Sequence, residues 1–307
     1  MSLYELLTSK GPNGFGYGST AEQVTQGLDL TGKTALVTGC NAGLGHETLR
    51  VLALRGARVI GTARTLAKAT AACAAVKGDT VPLACELSDP ASVRACVAEV
   101  KRLGIKLDAI VCNAGIMALP KLQTAHGYEL QFLTNHIGHF LLVTGLLDQL
   151  ADDGRVVMLS SDAHLRAPKG GIRFDNLSGE KGYSAWQFYG QAKFANLLFA
   201  KELARRFAGT RKTANAVHPG VIRTSLSRNM NPIVDLVLAV AAPLALKTVP
   251  QGAATQVYAA VHPGAAGVNG QYLSHCNVAK PRKDAEDPAL AARLWDESEK
   301  IVAGLGG

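Results

Sequence analysis

The strongest constraint on the fold is an alternation of short, β-branched apolar runs with longer stretches rich in Ala and Leu. Such alternation is typical of βαβ units, in which each helix crosses back over a parallel sheet. We therefore predict an α/β, doubly wound architecture, with seven strands in one mostly parallel sheet and helices on both faces. The predicted strands are Thr34–Thr38, Arg58–Ala63, Thr80–Cys85, Asp108–Cys112, Arg155–Ser160, Thr213–His218 and Gly270–Leu273.

The first predicted strand sets the division of the chain. We expect an N-terminal extension over residues 1–30 and a single catalytic domain over residues 31–307, without internal repeats or low-complexity segments. Between the last two predicted strands lies a mostly apolar segment, at about residues 225–262, which we expect to form two helices and to bind substrate. In sheets of this kind, ligands bind at the carboxyl ends of the strands, so residues that follow a strand are candidates for a site.

A glycine-rich turn follows the first predicted strand directly and leads into a helical stretch at Thr48–Leu54. Glycines permit a tight turn and let backbone N–H groups approach a pyrophosphate at a helix N-terminus, where the helix dipole favours negative charge. A glycine-rich turn without a ligand is the alternative. The candidate residues of this turn are Gly39, Asn41, Gly43, Leu44 and Gly45.

A basic residue, Arg64, follows the second predicted strand, where a site specific for NAD would place an acidic residue for the ribose 2′-hydroxyl. The planar guanidinium suits a 2′-phosphate, and Lys68 could add charge one helical turn later. We therefore predict NADP(H) as the cofactor. The alternative is that both side chains are simply solvated at the start of a helix.

Composition excludes several other classes of protein. The chain is 48% hydrophobic and 18% charged, which is typical of a globular protein, and its net charge of +8 is spread without the dense basic stripe that nucleic acid requires. Six cysteines without a CxxC pair, and a beginning without a secretory signal, indicate a reducing compartment, so we expect a cytoplasmic protein. The longest apolar run, Ile233–Leu246, is 14 residues, too short to span a bilayer.

Several spaced motifs resemble those of the classical short-chain dehydrogenase/reductases, over about residues 30–275, and this resemblance implies a Rossmann fold. They are Asn113–Gly115, Tyr189–Lys193 and Pro219–Thr224, together with the glycine turn. More narrowly, three segments are similar to the retinol dehydrogenase-like branch, which includes the WW-domain oxidoreductase and the chloroplast import-associated reductases. These segments are Asn135–Phe140, Ser160–His164 and Tyr189–Asn196.

Four residues are candidates for catalysis. Tyr189 and Lys193 are four apart on a predicted helix and so share one face, where the ammonium should lower the phenol pKa toward neutrality. The resemblance assigns Ser161 to the substrate oxygen, with Ser160 as the alternative, and lets Lys193 hold the nicotinamide ribose. It also assigns Asn135 to anchor a water that relays protons through Lys193.

The resemblance implies further cofactor contacts along the strand ends. Besides the turn, Arg64, Lys68, Tyr189 and Lys193, they are Glu86, Leu87, Asn113, Ala114, Gly115, Pro219, Gly220, Ile222 and Thr224. The sequence departs from the family at Glu86, where Asp is usual, and at Cys112, where Asn is usual. Neither departure touches the group that transfers the proton, so the affinity for the cofactor is affected before the chemistry.

Two other features can be interpreted as either structural or functional. His136 and His139 could form a metal pair, but no acid or cysteine follows at ligand spacing, so we predict no metal and favour packing or hydrogen bonding. The 28 residues between Ser161 and Tyr189 are consistent with the retinol dehydrogenase-like branch, and we expect Leu165–Trp186 to form an inserted lobe beside the substrate.

The predicted function is therefore NADPH-dependent transfer of hydride to or from a carbonyl or secondary alcohol of a lipophilic or aromatic substrate. Two alternatives remain at this stage. One is reduction of a carbon–carbon double bond, as in the light-dependent protochlorophyllide reductases, and the other is a non-catalytic, NADP(H)-sensing scaffold. The expected partner is a small lipophilic molecule and not a nucleic acid; a homo-oligomer and peripheral contact with a membrane are both compatible with the sequence.

Overall fold

A computed structural model describes residues 8–222 and 246–306. Its strands are β1 Thr34–Thr38, β2 Arg58–Ala63, β3 Thr80–Ala84, β4 Leu107–Cys112, β5 Thr124–Ala125, β6 Tyr128–Glu129, β7 Leu150–Leu159, β8 Thr213–His218, β9 Tyr272–Ser274 and β10 Asn277–Ala279. The main sheet has the strand order β10-β9-β8-β7-β4-β1-β2-β3, and a separate hairpin pairs β5 with β6. All neighbours in the main sheet are parallel except β9 and β10.

Helices cover both faces of the main sheet and bury one apolar core on each side. On one face lie Ala21–Val24, Gly43–Leu54, Leu66–Ala74 and Val249–Val261. On the other lie Pro90–Arg102, Leu130–Phe132, Gly138–Gly145, Ala185–Arg206 and Pro288–Gly304. A π-helical turn at Leu133–Ile137 and short 3₁₀ turns at Asp162–Arg166, Phe174–Asn176, Pro263–Ala265 and Lys283–Glu286 complete the elements. Every residue of β1 and of β8 is buried, as two-sided cover of a parallel sheet requires.

The doubly wound fold is confirmed, but the strands differ from the sequence prediction in number and in some bounds. The last parallel strand is Tyr272–Ser274 and not Gly270–Leu273, and the hairpin of β5 and β6 was not predicted. The main sheet has eight strands among the described residues, because the antiparallel strand β10 follows β9 after a turn in which His275 and Cys276 both have positive φ. Strand β7 begins at Leu150 and not at Arg155, since a register irregularity lets it pair twice with β4. Three residues are too few to show a period-2 pattern, so β10 left no signal in the sequence.

The N-terminal residues from Thr8 onward pack on the domain. The short helix Ala21–Val24 begins with a capping box between Thr20 and Gln23, and it contacts the helix Val249–Val261. All six cysteines are buried and free, as the composition predicted. Within residues 8–222 and 246–306, no helix is both long and apolar enough to cross a membrane.

Candidate active site

The glycine turn lies between β1 and the helix Gly43–Leu54, where the sequence placed it. Gly39 and Gly43 have φ of +71° and +56°, which favour glycine. A Cβ on Gly45 would press on the carbonyl oxygen of Gly39, so this crossing requires glycine as well. Ala42 supplies no side-chain cap to the helix, and Asn41 is exposed at the turn. An open cradle at an uncapped helix N-terminus fits a pyrophosphate.

A positively charged side chain follows the next strand, β2, at the same carboxyl edge of the sheet. Arg64 follows β2, and both its side chain and that of Lys68 are exposed. Over the described part of the chain, no ion pair involves either residue. Thr65 caps the following helix by accepting the Lys68 backbone N–H at 3.4 Å. The guanidinium is therefore available to an anionic ligand.

Beyond β3, the predicted cofactor contacts Glu86 and Leu87 are partly engaged within the protein. One oxygen of the Glu86 carboxylate accepts the Ser88 backbone N–H at 3.2 Å and the Ser88 hydroxyl at 2.9 Å. Leu87 is buried, and a Cβ on Gly138 would collide with its carbonyl oxygen. The carboxylate therefore stabilises its own turn, with one oxygen left for a ligand.

The segment Asn113–Gly115 follows β4 and is tied to the end of β1. The Thr38 hydroxyl accepts the backbone N–H groups of Asn113 and Ala114, each at 2.9 Å, and the Asn113 amide donates to the Thr38 carbonyl at 2.8 Å. Cys112, the departure from the family pattern, is fully buried, and burial raises its pKa, so it packs as a neutral thiol. The two loops that would hold the dinucleotide are thus fixed to each other.

Asn135 lies in the π-helical turn Leu133–Ile137, a local irregularity that occurs frequently at functional sites. Its side chain is fully buried and clamps the backbone of Ile116, accepting the N–H at 2.8 Å and donating to the carbonyl at 2.9 Å. A Cβ on Gly115 would lie 2.9 Å from the Asn135 Oδ1 and 3.6 Å from the Lys193 Nζ. Asn135 and Lys193 therefore face the same small space.

The two serines after β7 have different surroundings. The Ser160 hydroxyl is buried and donates to the backbone carbonyl of Lys193 at 2.7 Å, which ties β7 to the helix Ala185–Arg206. The Ser161 hydroxyl accepts the Ala163 N–H at 3.2 Å and lies near enough to the Tyr189 hydroxyl to lower the pKa of that phenol. Of the two, only Ser161 has its hydroxyl beside the phenol, and this supports its assignment to the substrate oxygen.

Tyr189 and Lys193 lie on one face of the helix Ala185–Arg206, both buried. The Lys193 Nζ is 5.7 Å from the centre of the Tyr189 ring and donates to the Leu159 carbonyl at 2.9 Å. The predicted fall of the phenol pKa is wrong for this structure. Burial raises the pKa of Tyr189 to about 12, against the smaller effect of the Ser161 hydrogen bond, and burial lowers that of Lys193 to about 8.

The loop after β8 forms the other wall of the site. Gly220 has φ of +95°, and a Cβ there would lie 2.6 Å from the Lys247 Cδ. Ile222 forms an isolated β-bridge with Lys247 and packs on Gly252. A Cβ added at Gly252 would also lie 2.8 Å from Cδ2 of Leu44, which belongs to the glycine turn. Ile222 thus approaches the phosphate turn, and Pro219 and Gly220 precede it in the same loop, whereas Thr224 and most of the predicted segment 225–262 lie outside the described residues. The described end of that segment, Val249–Val261, is a core helix.

An aromatic rim borders the tyrosine at the predicted inserted lobe. The Trp186 ring is 6.0 Å from that of Tyr189, centre to centre, and the Arg166 guanidinium lies 4.7 Å above it. Leu165 is 59% and Trp186 36% exposed, so the lobe presents apolar surface to solvent, with Trp186 beside Tyr189. Arg282 fixes the lobe by donating to the carbonyls of two of its residues, Ala167 at 2.6 Å and Pro168 at 2.7 Å.

Three polar residues of this site were not predicted from the sequence to shape the cofactor site, although hydrogen bonding was the favoured interpretation of His139 and the structure shows it. They are Thr38, His139 and Gln256, whose amide donates to Thr48 at 2.6 Å and to Asn113 at 3.2 Å. A buried polar residue inside an apolar helix is a weak signal until its partner is known. For His139 the spacing of four from Asn135 could have indicated a shared face.

Fold and site together define a dinucleotide-binding α/β oxidoreductase. The short chain dehydrogenase family model matches residues 33–234, so the chain belongs to that family. The chain is 40% identical to the short-chain dehydrogenase TIC 32 B, chloroplastic, of Brassica napus, over 99% of this chain and 100% of that relative. It is 39% identical to retinol dehydrogenase 12 of Mus musculus, over 91% of this chain and 89% of that relative, which confirms the predicted branch.

A solved structure shows the same fold. It is a short chain dehydrogenase from Burkholderia cenocepacia J2315 in complex with NADP, 25% identical, with a TM-score of 0.64. The likeness covers 80% of this chain and 96% of that one. The prediction of an oxidoreductase built on a Rossmann-type sheet is confirmed.

Proposed function

We propose that this oxidoreductase uses NADP(H) to transfer hydride to the carbonyl carbon of a lipophilic or aromatic substrate, or from the corresponding secondary alcohol. One observation carries the proposal: the buried Tyr189 hydroxyl lies beside that of Ser161, with Lys193 on the same helix face, at the carboxyl end of the sheet. A proton donor, a second hydrogen-bonding group and a cation together suit a reacting oxygen.

The cofactor proposal rests on the two strand ends that precede this constellation. The glycine cradle fits a pyrophosphate, and the exposed Arg64 at the end of β2 fits the 2′-phosphate of NADP(H) in the absence of an acid there. The Burkholderia relative, which is bound to NADP, supports the same choice. Asn113–Gly115 and Gly220 would line the path between phosphates and nicotinamide.

The bound nicotinamide supplies the hydride. Ser161 holds the substrate oxygen by a hydrogen bond, and Tyr189 donates its phenolic proton to that oxygen as charge develops on it. A pKa of about 12 keeps Tyr189 protonated near neutral pH, which suits the direction of reduction. Lys193 holds positive charge near the phenol and lies close to Asn135, which would anchor a water that passes protons between Lys193 and solvent.

The substrate proposal comes from the rim. Trp186 offers exposed apolar surface beside Tyr189, and Leu165 adds exposed apolar surface on the same lobe; such surface favours an aromatic or lipophilic body over a sugar. The relative named retinol dehydrogenase 12 is consistent with this class. The segment Ile233–Val240, on which the sequence prediction of a hydrophobic pocket depended, lies outside the described residues.

The test is turnover of a panel of ketones, aldehydes and enones with NADPH, followed by identification of the products. We expect alcohols, and we expect Tyr189→Phe to lower kcat by about 10²–10⁴-fold, since it removes only the proton donor. Ser161→Ala should lose more activity than Ser160→Ala. Saturated ketones formed from the enones would instead indicate reduction of the carbon–carbon bond, and a loss below tenfold in Tyr189→Phe would contradict the role of the phenol.

The cofactor assignment has its own test. Arg64→Ala should lower kcat/KM for NADPH and leave that for NADH nearly unchanged, because only NADPH carries the 2′-phosphate. Lys68→Ala is the matched control for loss of one nearby charge and should have the smaller effect. A wild-type preference for NADH, or an unchanged ratio in Arg64→Ala, would show that Arg64 does not select the cofactor.

Other expectations remain predictions. They are the boundary at residue 31, a homo-oligomer and the cytoplasmic location. The Brassica relative is named chloroplastic.

A further inference from the structure

A buried histidine links the catalytic asparagine to the loops of the cofactor site. His139 is fully buried, one helical turn after Asn135. Its Nδ1 lies 2.9 Å from the Asn135 backbone carbonyl oxygen, and its Nε2 lies 2.9 Å from the Thr38 hydroxyl. The two ring nitrogens therefore contact two elements that the sequence separates by about a hundred residues.

The partners of the ring determine its tautomer. A carbonyl oxygen can only accept, so Nδ1 carries the hydrogen and Nε2 is left as an acceptor. The Thr38 hydroxyl must then donate its one hydrogen to Nε2; the Val111 carbonyl, its other acceptor, is more distant at 3.5 Å. Burial lowers the pKa of His139 to about 4, which keeps the ring neutral as this arrangement requires.

The Thr38 hydroxyl is saturated by this assignment. Its two lone pairs accept the backbone N–H groups of Asn113 and Ala114, and its hydrogen goes to His139. One chain of hydrogen bonds thus runs from the loop after β4, through the end of β1, to the main chain of Asn135. The Asn135 side chain is held independently by Ile116.

We propose that His139 is a positioning residue for Asn135. Its Nδ1–H fixes the position of the Asn135 carbonyl in the π-helical turn relative to the two loops that the Thr38 hydroxyl holds. The inference rests on the proposed function, since Asn135 is the residue that would anchor the water that relays protons through Lys193. A carbonyl oxygen has a second lone pair, so the contact leaves room for a water at the same atom. A displacement of that carbonyl would slow proton transfer without removing any group that binds the cofactor.

The neighbouring His136 provides a contrast within the same helical segment. It is equally buried, but its Nε2 lies 2.9 Å from the Ser298 hydroxyl, and its ring packs among Phe132, Phe140 and Phe199. Ser298 belongs to the C-terminal helix Pro288–Gly304. A variant at Ser298 therefore disturbs a buried histidine contact on the far side of the segment and serves as a matched control.

The first experiment tests the contact without substrate. Long-range ¹H–¹⁵N correlation spectra of the full chain with labelled histidines, at neutral pH, should show His139 as the Nδ1–H tautomer, its signals being assigned by their loss in His139→Gln. A neutral Nε2–H ring or an imidazolium would overturn the proposal, whatever the enzyme turns out to reduce.

The second experiment separates the two ends of the imidazole. Asparagine places an amide near Nδ1, so His139→Asn keeps a donor for the Asn135 carbonyl; glutamine reaches the position of Nε2, so His139→Gln keeps the contact with Thr38. We expect His139→Gln to lower kcat about tenfold or more with the NADPH Kd, measured by fluorescence, within about threefold of wild type. His139→Asn should retain kcat within about threefold, and Ser298→Ala should lower Tm but not kcat.

Three outcomes would overturn the positioning role. The first is an equal loss of kcat in His139→Asn and His139→Gln. The second is a loss of activity in His139→Gln that is explained by a higher NADPH Kd. The third is a fall of kcat in Ser298→Ala as large as that in His139→Gln. Failure of the proposed function is recognised separately, by a wild-type protein that turns over no carbonyl with NADPH while the spectra still show the Nδ1–H ring.

Discussion

At the scale of residues, burial determines the charge of the titratable groups in and around the candidate site. It raises the pKa of Tyr189 to about 12, lowers that of Lys193 to about 8, and lowers those of His136 and His139 to about 3 and 4. Each shift favours the neutral form, as expected where a charge loses its water. Lys193 is the only member of this group of four whose proton equilibrium lies between pH 6 and 10, so it should govern the pH dependence over that range.

The pH dependence of kcat/KM for NADPH should therefore show one basic limb near pH 8. This parameter reports groups of the free enzyme. Below that pH the buried lysine is an ammonium, which favours an anionic cofactor, and above it the charge is lost. In Lys193→Arg the limb should disappear up to pH 10, because a guanidinium stays charged. As a control, the NADPH Kd is measured over the same pH range. A basic limb that persists near pH 8 in Lys193→Arg would show that a group other than Lys193 causes the limb.

At the scale of elements, the sequence predicted what depends on long apolar patterns. The buried parallel strands β1, β2 and β8 were located to the residue, because each is a short run between two stretches of helical composition, as the βαβ alternation requires. The π-helical turn at Leu133–Ile137 was not, since one extra residue in a helix leaves the apolar composition unchanged. Short elements such as β10 depend on turn geometry and on neighbouring strands, which local composition does not encode.

The candidate site shows the same limit. Spacing predicted that Tyr189 and Lys193 share a helix face, and strand ends brought Ser161, Asn113 and Arg64 to one edge of the sheet. The sequence could not weigh burial against the neighbouring ammonium, and so it gave the wrong direction for the tyrosine pKa. Tertiary hydrogen bonds, such as that of His139, also stay invisible until both partners have been placed.

The crossing of the glycine turn over its helix is an element-scale feature that can be tested. In Gly45→Ala the new Cβ would lie 2.8 Å from the Gly39 carbonyl carbon and 2.5 Å from the Asn113 Nδ2, so both loops must shift. Overpacking of this kind costs about 1–3 kcal/mol, and the NADPH Kd should rise about tenfold or more because the shifted atoms form the cradle.

The control for Gly45→Ala is Gly304→Ala. Gly304 also belongs to a helix, but a Cβ there meets nothing within 4 Å. Alanine is the better helix former, so this variant should keep or raise Tm and leave NADPH binding unchanged. Equal Kd values in the two variants would show that the crossing does not shape the cofactor site.

At the scale of the whole molecule, the N-terminal residues contact two separate parts of the domain, the turn between β9 and β10 and the end of the helix Val249–Val261. Asn13 donates to the Cys276 carbonyl at 2.6 Å, in the turn between β9 and β10. Phe15 packs edge-on against Tyr258 and His262 at the end of the helix Val249–Val261. Residues 8–30, to which the sequence assigned no role, therefore pack over the apolar core on the side of the helix Val249–Val261 and over the sheet edge at β9 and β10. We call these residues the strap.

The strap should contribute measurably to stability through Phe15. Phe15→Ala removes two aromatic contacts, with ring centres at 5.8 and 5.3 Å, from a partly buried side chain. We expect the free energy of unfolding in urea to fall by about 1–3 kcal/mol, less than for a fully buried phenylalanine. Phe15→Leu should recover part of the loss by keeping apolar volume, whereas Leu54→Ala, at a side chain 51% exposed, should change it by no more than about 0.5 kcal/mol. An unchanged urea midpoint in Phe15→Ala would mean that the domain is equally stable without the anchor, because the strap would then pack on a core that is already complete.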